Sequence, residues 1–250
     1  MTLPIKNFRD VSGYRNRFGE AMRPGLIFRG ASLEQLSEAD VAYMEDTLGI
    51  RYILDYREEG EAVLSPDVPF PKAEVLRISA MKTGEGFNFG TLLGGSPGKK
   101  DIGPLREYLR SGYANMPFDN DAYRALFDRL LRGNGGIYFH CSAGKDRTGL
   151  SAMLIMMALG MKRRDIIREY MLSNEYLMEE NKAFYEKHNI PWFYHFLIDP
   201  LIGVSKSSIK LSLKEIRKRY PSYDAYLEAE YGIDEEKRQH LRKLYCTAKA

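Results

Sequence analysis

His140-Cys141-Ser142-Ala143-Gly144-Lys145-Asp146-Arg147-Thr148-Gly149 stands between an apolar run, Gly136 to Phe139, and a long apolar helical pattern that begins near Thr148. The succession reads as strand, tight loop, helix. The first turn of a helix carries N–H groups without intrahelical partners and the positive end of the helix dipole. A loop in that place is suited to hold an anion. Successive N–H groups curled round a concavity make a nest of phosphate size. Cys141 opens the loop and Arg147 closes it, with five residues between. A cysteine at a helix start is favoured as its thiolate, the nucleophilic form. The planar fork of Arg147 matches two phosphate oxygens. A thiolate below a phosphorus and an arginine beside it are the parts of a nucleophilic displacement at phosphate.

His140-Cys141, five residues, then Arg147-Thr148 resembles the signature of the cysteine-dependent protein tyrosine phosphatases. The fuller form, Gly144-Lys145-Asp146-Arg147-Thr148-Gly149, is similar to the bacterial tyrosine phosphatase-like branch. That branch includes atypical dual- and triple-specificity enzymes acting on phosphoproteins and phosphoinositides. The resemblance implies an α/β protein with the three-layer phosphatase fold. A small, mostly parallel sheet is flanked by helices and followed by a helical carboxyl-terminal part. Residues 1–250 then form a single domain, with a variable loop or insertion at 82–117 and the helical part at 162–250.

Composition agrees with this class. A chain of 250 residues can bury a large core. A net charge of +3 is too small to argue for nucleic acid or a membrane surface. Two cysteines, Cys141 and Cys246, make no disulfide framework. A reactive thiol suits a reducing compartment. Residues 1–20 lack the apolar stretch of a signal peptide, and the longest apolar run, Leu150 to Met161, is too short for a transmembrane segment. The expected location is cytoplasmic, with export by a non-classical route left open.

Further along the chain, Leu26 to Arg29 reads as a short strand. Asn7-Phe8-Arg9-Asp10 and Phe28-Arg29-Gly30 resemble the start of the same phosphatase branch, with Arg9, Asp10 and Arg29 in supporting roles. Ser37 and Asp40 form a capping box for a helix that Gly49 stops. Arg51 to Asp55 is a buried strand ending in a carboxylate, and ligands gather outside such strand ends. Asp55 either faces the phosphate site or caps the next turn. Asp55-Tyr56-Arg57 and Glu61 resemble the family's Asp-Leu-Arg…Glu element. Ala73 to Ile78 is a further strand.

Residues 82–104 carry seven glycines and read as a long loop, either a lid over the site or a solvated insertion. As a lid it would turn Phe87, Phe89, Leu92 and Leu93 inward. Asp121 to Arg132 has one-face apolar spacing and a capping Asp119 or Asn120. The helix after Arg147 is apolar on nearly every side, as befits a central helix. Helices follow from Lys162, through Glu175–Lys187, and over Ser207–Tyr220, Ser222–Tyr231 and Asp234–Cys246. The aromatic cluster Pro191 to Phe196 is expected to pack in the core or between helices.

The chemistry implied has two displacements. The Cys141 thiolate attacks phosphorus and expels the alcohol or phenol; water then hydrolyses the phosphocysteine. The loop from Ser142, Ala143, Gly144 and Lys145 binds the phosphoryl oxygens with Arg147. Thr148 donates to the thiolate, as the family's residue at this place does. His140 orients the cysteine's surroundings. The leaving oxygen needs a general acid. The family's mobile Trp-Pro-Asp loop is absent, since the only tryptophan, Trp192, precedes Phe193. The resemblance to the atypical branch implies Asp146; Asp55 or Asp67 are the alternatives if Asp146 only anchors the loop. No metal or other cofactor is expected.

Phosphotyrosine on a protein or peptide is the first substrate expected, with a phosphoinositide or dual specificity second, because Lys145 adds positive charge beside the nest. Phosphate or sulfate are natural occupants of the loop. Two rivals have different chemistry. An arsenate reductase or sulfurtransferase also uses a loop cysteine, but a reductase needs relay thiols and only distant Cys246 is present. A non-catalytic phosphate reader would need the nest but no thiol.

Overall fold

The structure, a computed structural model, describes residues 2–81 and 103–247. Strand β5 (Gly136–His140) is buried along its whole length and lies in the middle of a five-stranded sheet. β2 (Ile27–Gly30) and β3 (Ile50–Asp55) flank it, both parallel to it. β4 (Glu74–Arg77) continues parallel to β3, and β1 (Arg9–Asp10) runs antiparallel along β2. Gly30 and Asp55 both stand in register with His140. The carboxyl ends of three strands therefore meet at the residue before Cys141.

Side chains alternate across a strand with a period of two. Phe28, Ile53 and Tyr138 point to one face, where they join Leu33, Met44 and Phe70. Ile27, Tyr52, Leu54, Ile137 and Phe139 point to the other, larger apolar layer. The smaller layer is closed by α1 (Glu38–Ala42), which continues into a π-helical turn at Tyr43–Thr47. The Ser37–Asp40 capping box is present at its start. α2 (Glu59–Leu64) follows β3.

The larger layer is closed by helices. These are α3 (Gly103–Asn115), α4 (Asp121–Arg132), α5 (Arg147–Ala158) and α6 (Arg163–Tyr176). Then come α7 (Met178–Lys187), α8 (His195–Ile202), α9 (Lys206–Arg219), α10 (Tyr223–Tyr231) and α11 (Glu235–Tyr245). Asn120 caps α4, and Gly133 ends it in the left-handed conformation. Every residue of α5 after Arg147 is buried, as its all-round apolar sequence requires.

The mixed α/β architecture expected from the sequence is present: a mostly parallel sheet between two layers, then a helical carboxyl-terminal part. One segment gains a helix, and one expectation changes. Within the 82–117 segment, residues 103–115 are a helix, which ends three residues before Phe118. Residues 82–102, with Phe87, Phe89, Leu92, Leu93 and the lid question, lie outside the described residues. The aromatic cluster is not core: Trp192 is 80% exposed, and Phe193 and Tyr194 are also exposed. Trp192–Tyr194 form one 3-10 turn. At three residues per turn, consecutive rings leave the axis in three directions and cannot share a buried face.

Candidate active site

The loop after β5 is fixed from behind through its carbonyls. Arg29 of β2 donates to the oxygens of Gly144, at 2.7 Å, and Lys145, at 3.3 Å. Asn7 Nδ2 donates to Gly144 O at 2.8 Å and Ala143 O at 3.3 Å. Ser32 donates to Ser142 O from both its amide and its hydroxyl. In a trans peptide the N–H opposes the C=O. Carbonyls 142–145 pulled outward turn the amides of residues 143–146 toward the concavity. Among the described residues, the amides of Ser142, Ala143, Gly144, Asp146 and Arg147 donate to no other backbone group. These are the free donors that an anion nest needs.

The anchors behind the loop are themselves buried charges. Glu169 of α6 takes Arg9 on one oxygen and Arg29 on the other, each at 2.8 Å. Arg9 also reaches Ser173 and Asn7. Burial would raise the Glu169 carboxyl, but the two guanidiniums outweigh it and hold it low. Burial, then the neighbouring Arg9, bring the Arg29 guanidinium down to about 10. Asn7, Glu169 and Ser173 received no role from the sequence alone; Asn7 lies in the Asn7-Phe8-Arg9-Asp10 run that carried the resemblance. Asp10 instead accepts from the Gly25 amide and braces the turn before β2.

Gly144 is left-handed, at φ +65°, and lies against the end of β2. A Cβ there would stand 2.2 Å from the Gly30 carbonyl carbon and oxygen. No side chain fits, so glycine is required on both counts.

On the front of the loop, Cys141 is 2% exposed, and its sulfur accepts a hydrogen bond from Thr148 Oγ1 at 3.2 Å. Arg147 is held in a fork by Glu61 of α2, at 2.5 and 2.7 Å, and donates to Tyr56 O at 3.3 Å. Ser142 Oγ donates to the same Glu61 carboxylate at 2.6 Å. Burial pushes the Glu61 carboxyl up, but the Arg147 fork and the Ser142 hydroxyl overcome it and bring it to about 2. Burial works against the Arg147 charge, and Glu61 and the Cys141 sulfur more than restore it.

Lys145 Nζ donates to Gly203 O at 3.0 Å and stands 3.4 Å from Asp146 Oδ2. The Asp146 side chain caps no helix amide; its Oδ1 accepts from the Tyr113 hydroxyl. It is about one-quarter exposed, with 26% of its side-chain surface open. Asp55 is different. Its buried carboxylate accepts from the Arg57 amide and guanidinium and from Arg77. Of the two sequence readings for Asp55, bracing the following turn is the one realised. Arg57 reaches on to Ser65 O and Asp67. Asp67 also accepts from the Leu33 amide. His140 is fully buried, stacked on Tyr138, with Nδ1 3.4 Å from Cys141 O. Burial lowers its pKa despite Asp67 and Asp55, which favours the neutral ring.

Asp55, Asp67 and His140 offer ligand atoms within 4.8 Å of one another. Their fit to a metal is poor, because the Arg57 guanidinium already engages both carboxylates at 2.8 and 2.5 Å. The cluster is a charge-balanced brace beneath the sheet end.

The geometry unites a sulfur with a hydroxyl donor, a ring of amides, a guanidinium and a carboxyl, as a phosphate site requires. A triple specificity protein phosphatase of Mycobacterium tuberculosis, PtpB, is 27% identical over 94% of this chain and 95% of its own. A candidate tyrosine-protein phosphatase of Cupriavidus necator is 28% identical over 92% of this chain and 83% of its own. Among solved structures, the core catalytic domain of the PP-IP phosphatase SIW14 from S. cerevisiae, with citrate, aligns at TM-score 0.37 and 17% identity. That alignment covers 76% of this chain and 98% of the other. Residues 2–247 match the tyrosine phosphatase family, and the chain belongs to it: it is a protein-tyrosine phosphatase.

Proposed function

We propose that this phosphatase is cysteine-dependent, hydrolyses phosphotyrosine through a phosphocysteine intermediate, and does so without a metal. One observation carries the reading: the buried Cys141 sulfur accepts from Thr148 at 3.2 Å at the start of a loop whose carbonyls from Ser142 to Lys145 accept from Ser32, Asn7 and Arg29. The thiolate attacks phosphorus and expels the phenol, whose oxygen takes the Asp146 proton. The inward amides and Arg147 meet the charge on the three equatorial oxygens. Water then attacks phosphorus, Asp146 takes the water's proton, and the thiolate is released, Thr148 donating to it. Asp146 is favoured over Asp55 as the acid because Asp55 is buried and bound to two arginines.

A relay thiol, needed for reductase chemistry, has no support. Cys246 is buried at the end of α11, and burial pushes its thiol up to about 11. A phosphate reader would need no sulfur partnered by Thr148. Dual specificity is the second reading; the name of the M. tuberculosis relative and the cation of Lys145 beside the nest favour it. Hydrolysis of an aryl phosphate by wild type and by Cys141→Ser is the test. Turnover that survives in Cys141→Ser, or binding of phosphopeptide by both with turnover by neither, would reject the mechanism. A panel of phosphotyrosine, phosphoserine and phosphoinositide substrates ranks the specificities, with phosphotyrosine expected first.

A further inference from the structure

Helix α9 carries six cations and one acid in its 14 residues, whereas the whole chain nets only +3. The rest of the chain is therefore net negative, and the excess of positive charge belongs to this helix. Lys206, Lys210, Lys214 and Lys218 follow one another four residues apart, and Arg217 falls between the last two. Residues at that spacing share a helix face, and all five are exposed. The apolar face of the helix, with Ile209, Leu213 and Ile216, is buried. Arg219 turns aside and lies over the Phe118 ring at 3.7 Å.

At its far end the stripe opens into a groove of about 380 Å³. Arg163, the first residue of α6, and Tyr223, the first of α10, line it with Leu213, Lys214, Arg217 and Lys218. Arg217 lies over the Tyr223 ring at 5.9 Å and donates to Tyr220 O at 3.1 Å. Among the described residues, Glu215 alone reaches the stripe, at 3.8 Å from Lys218, and Lys206, Lys210, Lys214 and Arg163 have no acidic partner. Exposed cations elsewhere are paired: Lys72 with Asp46, Arg124 with Asp119 and Asp121, Arg132 with Glu74 and Asp128. Like charges four residues apart on a helix repel. This face therefore opposes its own helix, and an anionic ligand would supply the partners that the fold does not.

The near end of the stripe adjoins the phosphate loop. Gly203 O accepts from Lys145 Nζ at 3.0 Å, and Ser205 caps α9. Lys206 is then within about 11 Å of chain from that carbonyl. From Lys206 to Lys218 the helix rises about 18 Å, the length of about five or six extended residues. We propose that the α9 stripe, with Arg163, is a docking surface for an acidic segment of the phosphoprotein substrate, close in sequence to its phosphotyrosine. This rests on the phosphotyrosine reading. Carboxylates complement the charge of the stripe, and a short peptide spans from the loop along it. A bilayer fits less well, because an interfacial helix enters lipid with an apolar side, and that of α9 faces the core. Charges at the rim of an interface govern encounter and register. The surface should thus act on KM and leave kcat alone.

The test uses the full chain and three phosphotyrosine peptides: one with neutral flanks, and one each with about six glutamates before or after the tyrosine. Wild type should hydrolyse an acidic peptide with kcat/KM about tenfold above the neutral one, through KM. The advantage should fade between about 50 and 500 mM salt. Lys210→Glu/Lys214→Glu should erase it, and Lys210→Gln/Lys214→Gln should diminish it. Hydrolysis of 4-nitrophenyl phosphate should stay within about twofold in both variants, which reports an intact fold and loop. An advantage that is absent from wild type, or that survives charge reversal or high salt, overturns the surface. So does binding to phosphatidylserine vesicles that the reversal abolishes while no peptide is preferred; the face then belongs to a bilayer. Fluorescence anisotropy with the unphosphorylated acidic peptide keeps the two readings apart. Binding lost on charge reversal, with no phosphotyrosine peptide hydrolysed, would sink the phosphotyrosine reading and leave the surface. Hydrolysis of all three peptides at one rate, without binding, would sink the surface and leave the phosphotyrosine reading.

Discussion

Two glutamates grip arginines on opposite sides of one loop, and they do so differently. Glu169, behind the loop, is buried and divides its oxygens between Arg9 and Arg29. Glu61, in front, is about one-third exposed and gives both oxygens to Arg147. The rear pairing closes on itself and leaves nothing for a ligand to take. The front pairing fixes the direction of a guanidinium at the end of the loop that Cys141 opens. The rear site is thus an architectural device that aims peptide planes, while the front site keeps a cation ready for use. The contrast teaches that burial and openness of similar ion pairs divide the work of holding and of reacting.

If this division is right, breaking the front should abolish turnover and spare the fold. On the mechanism proposed above, Cys141→Ser should lose on the order of 10^4-fold or more in kcat, with an almost unchanged thermal midpoint; steady-state kinetics and calorimetry check both. Breaking the rear should do the reverse first. Arg29→Met leaves Glu169 with one partner in a buried place, and a broken buried pair costs about 3–5 kcal/mol. The melting midpoint should fall by about 10 °C for a domain of this size. A midpoint within a degree or two of wild type would dissolve the contrast.

Glu61→Gln should sit between the two. The fold stays within about 1 kcal/mol, as for other partly exposed pairs. The Arg147 fork loses its aim, and kcat/KM should fall by about 10^2-fold, the scale of a small misplacement. The smallest effect is in pH. The Glu61 carboxyl is depressed from 4.5 to about 2 in the fold. Its stabilisation is therefore complete above pH 4.5 and is lost as pH falls toward 2. The midpoint difference between wild type and Glu61→Gln should be flat from about pH 5 to 8 and shrink below 4.5. A difference that changes near neutrality would show that some other group carries it.

The strand–loop–helix at 136–158 was legible because it rests on local rules: an apolar strand, a glycine where φ is positive, and a helix apolar all round. Ser37 and Asn120 as caps, and Gly49 as a stop, were legible for the same reason. Partnerships across the chain were not. The Glu61 hold on Arg147 joins residues 86 apart, and Tyr113 with Asp146 joins residues 33 apart. Neither spacing has a periodicity to read. Asp55 had two open readings because a carboxylate at a strand end suits a ligand or an arginine alike; only the position of Arg57 decides. The exposed Trp192 was misjudged because hydrophobic character alone does not say whether a turn offers a face.

Gly144 and Gly30 meet with no side chain between them. The nest is in effect riveted to the end of the sheet, so its floor has nowhere to travel. Any clasping of a bound ester has to be performed by the walls, from the Glu61 side or the Tyr113 side. A protein engineer who wants a new substrate should accordingly redraw those walls and leave the rivet alone.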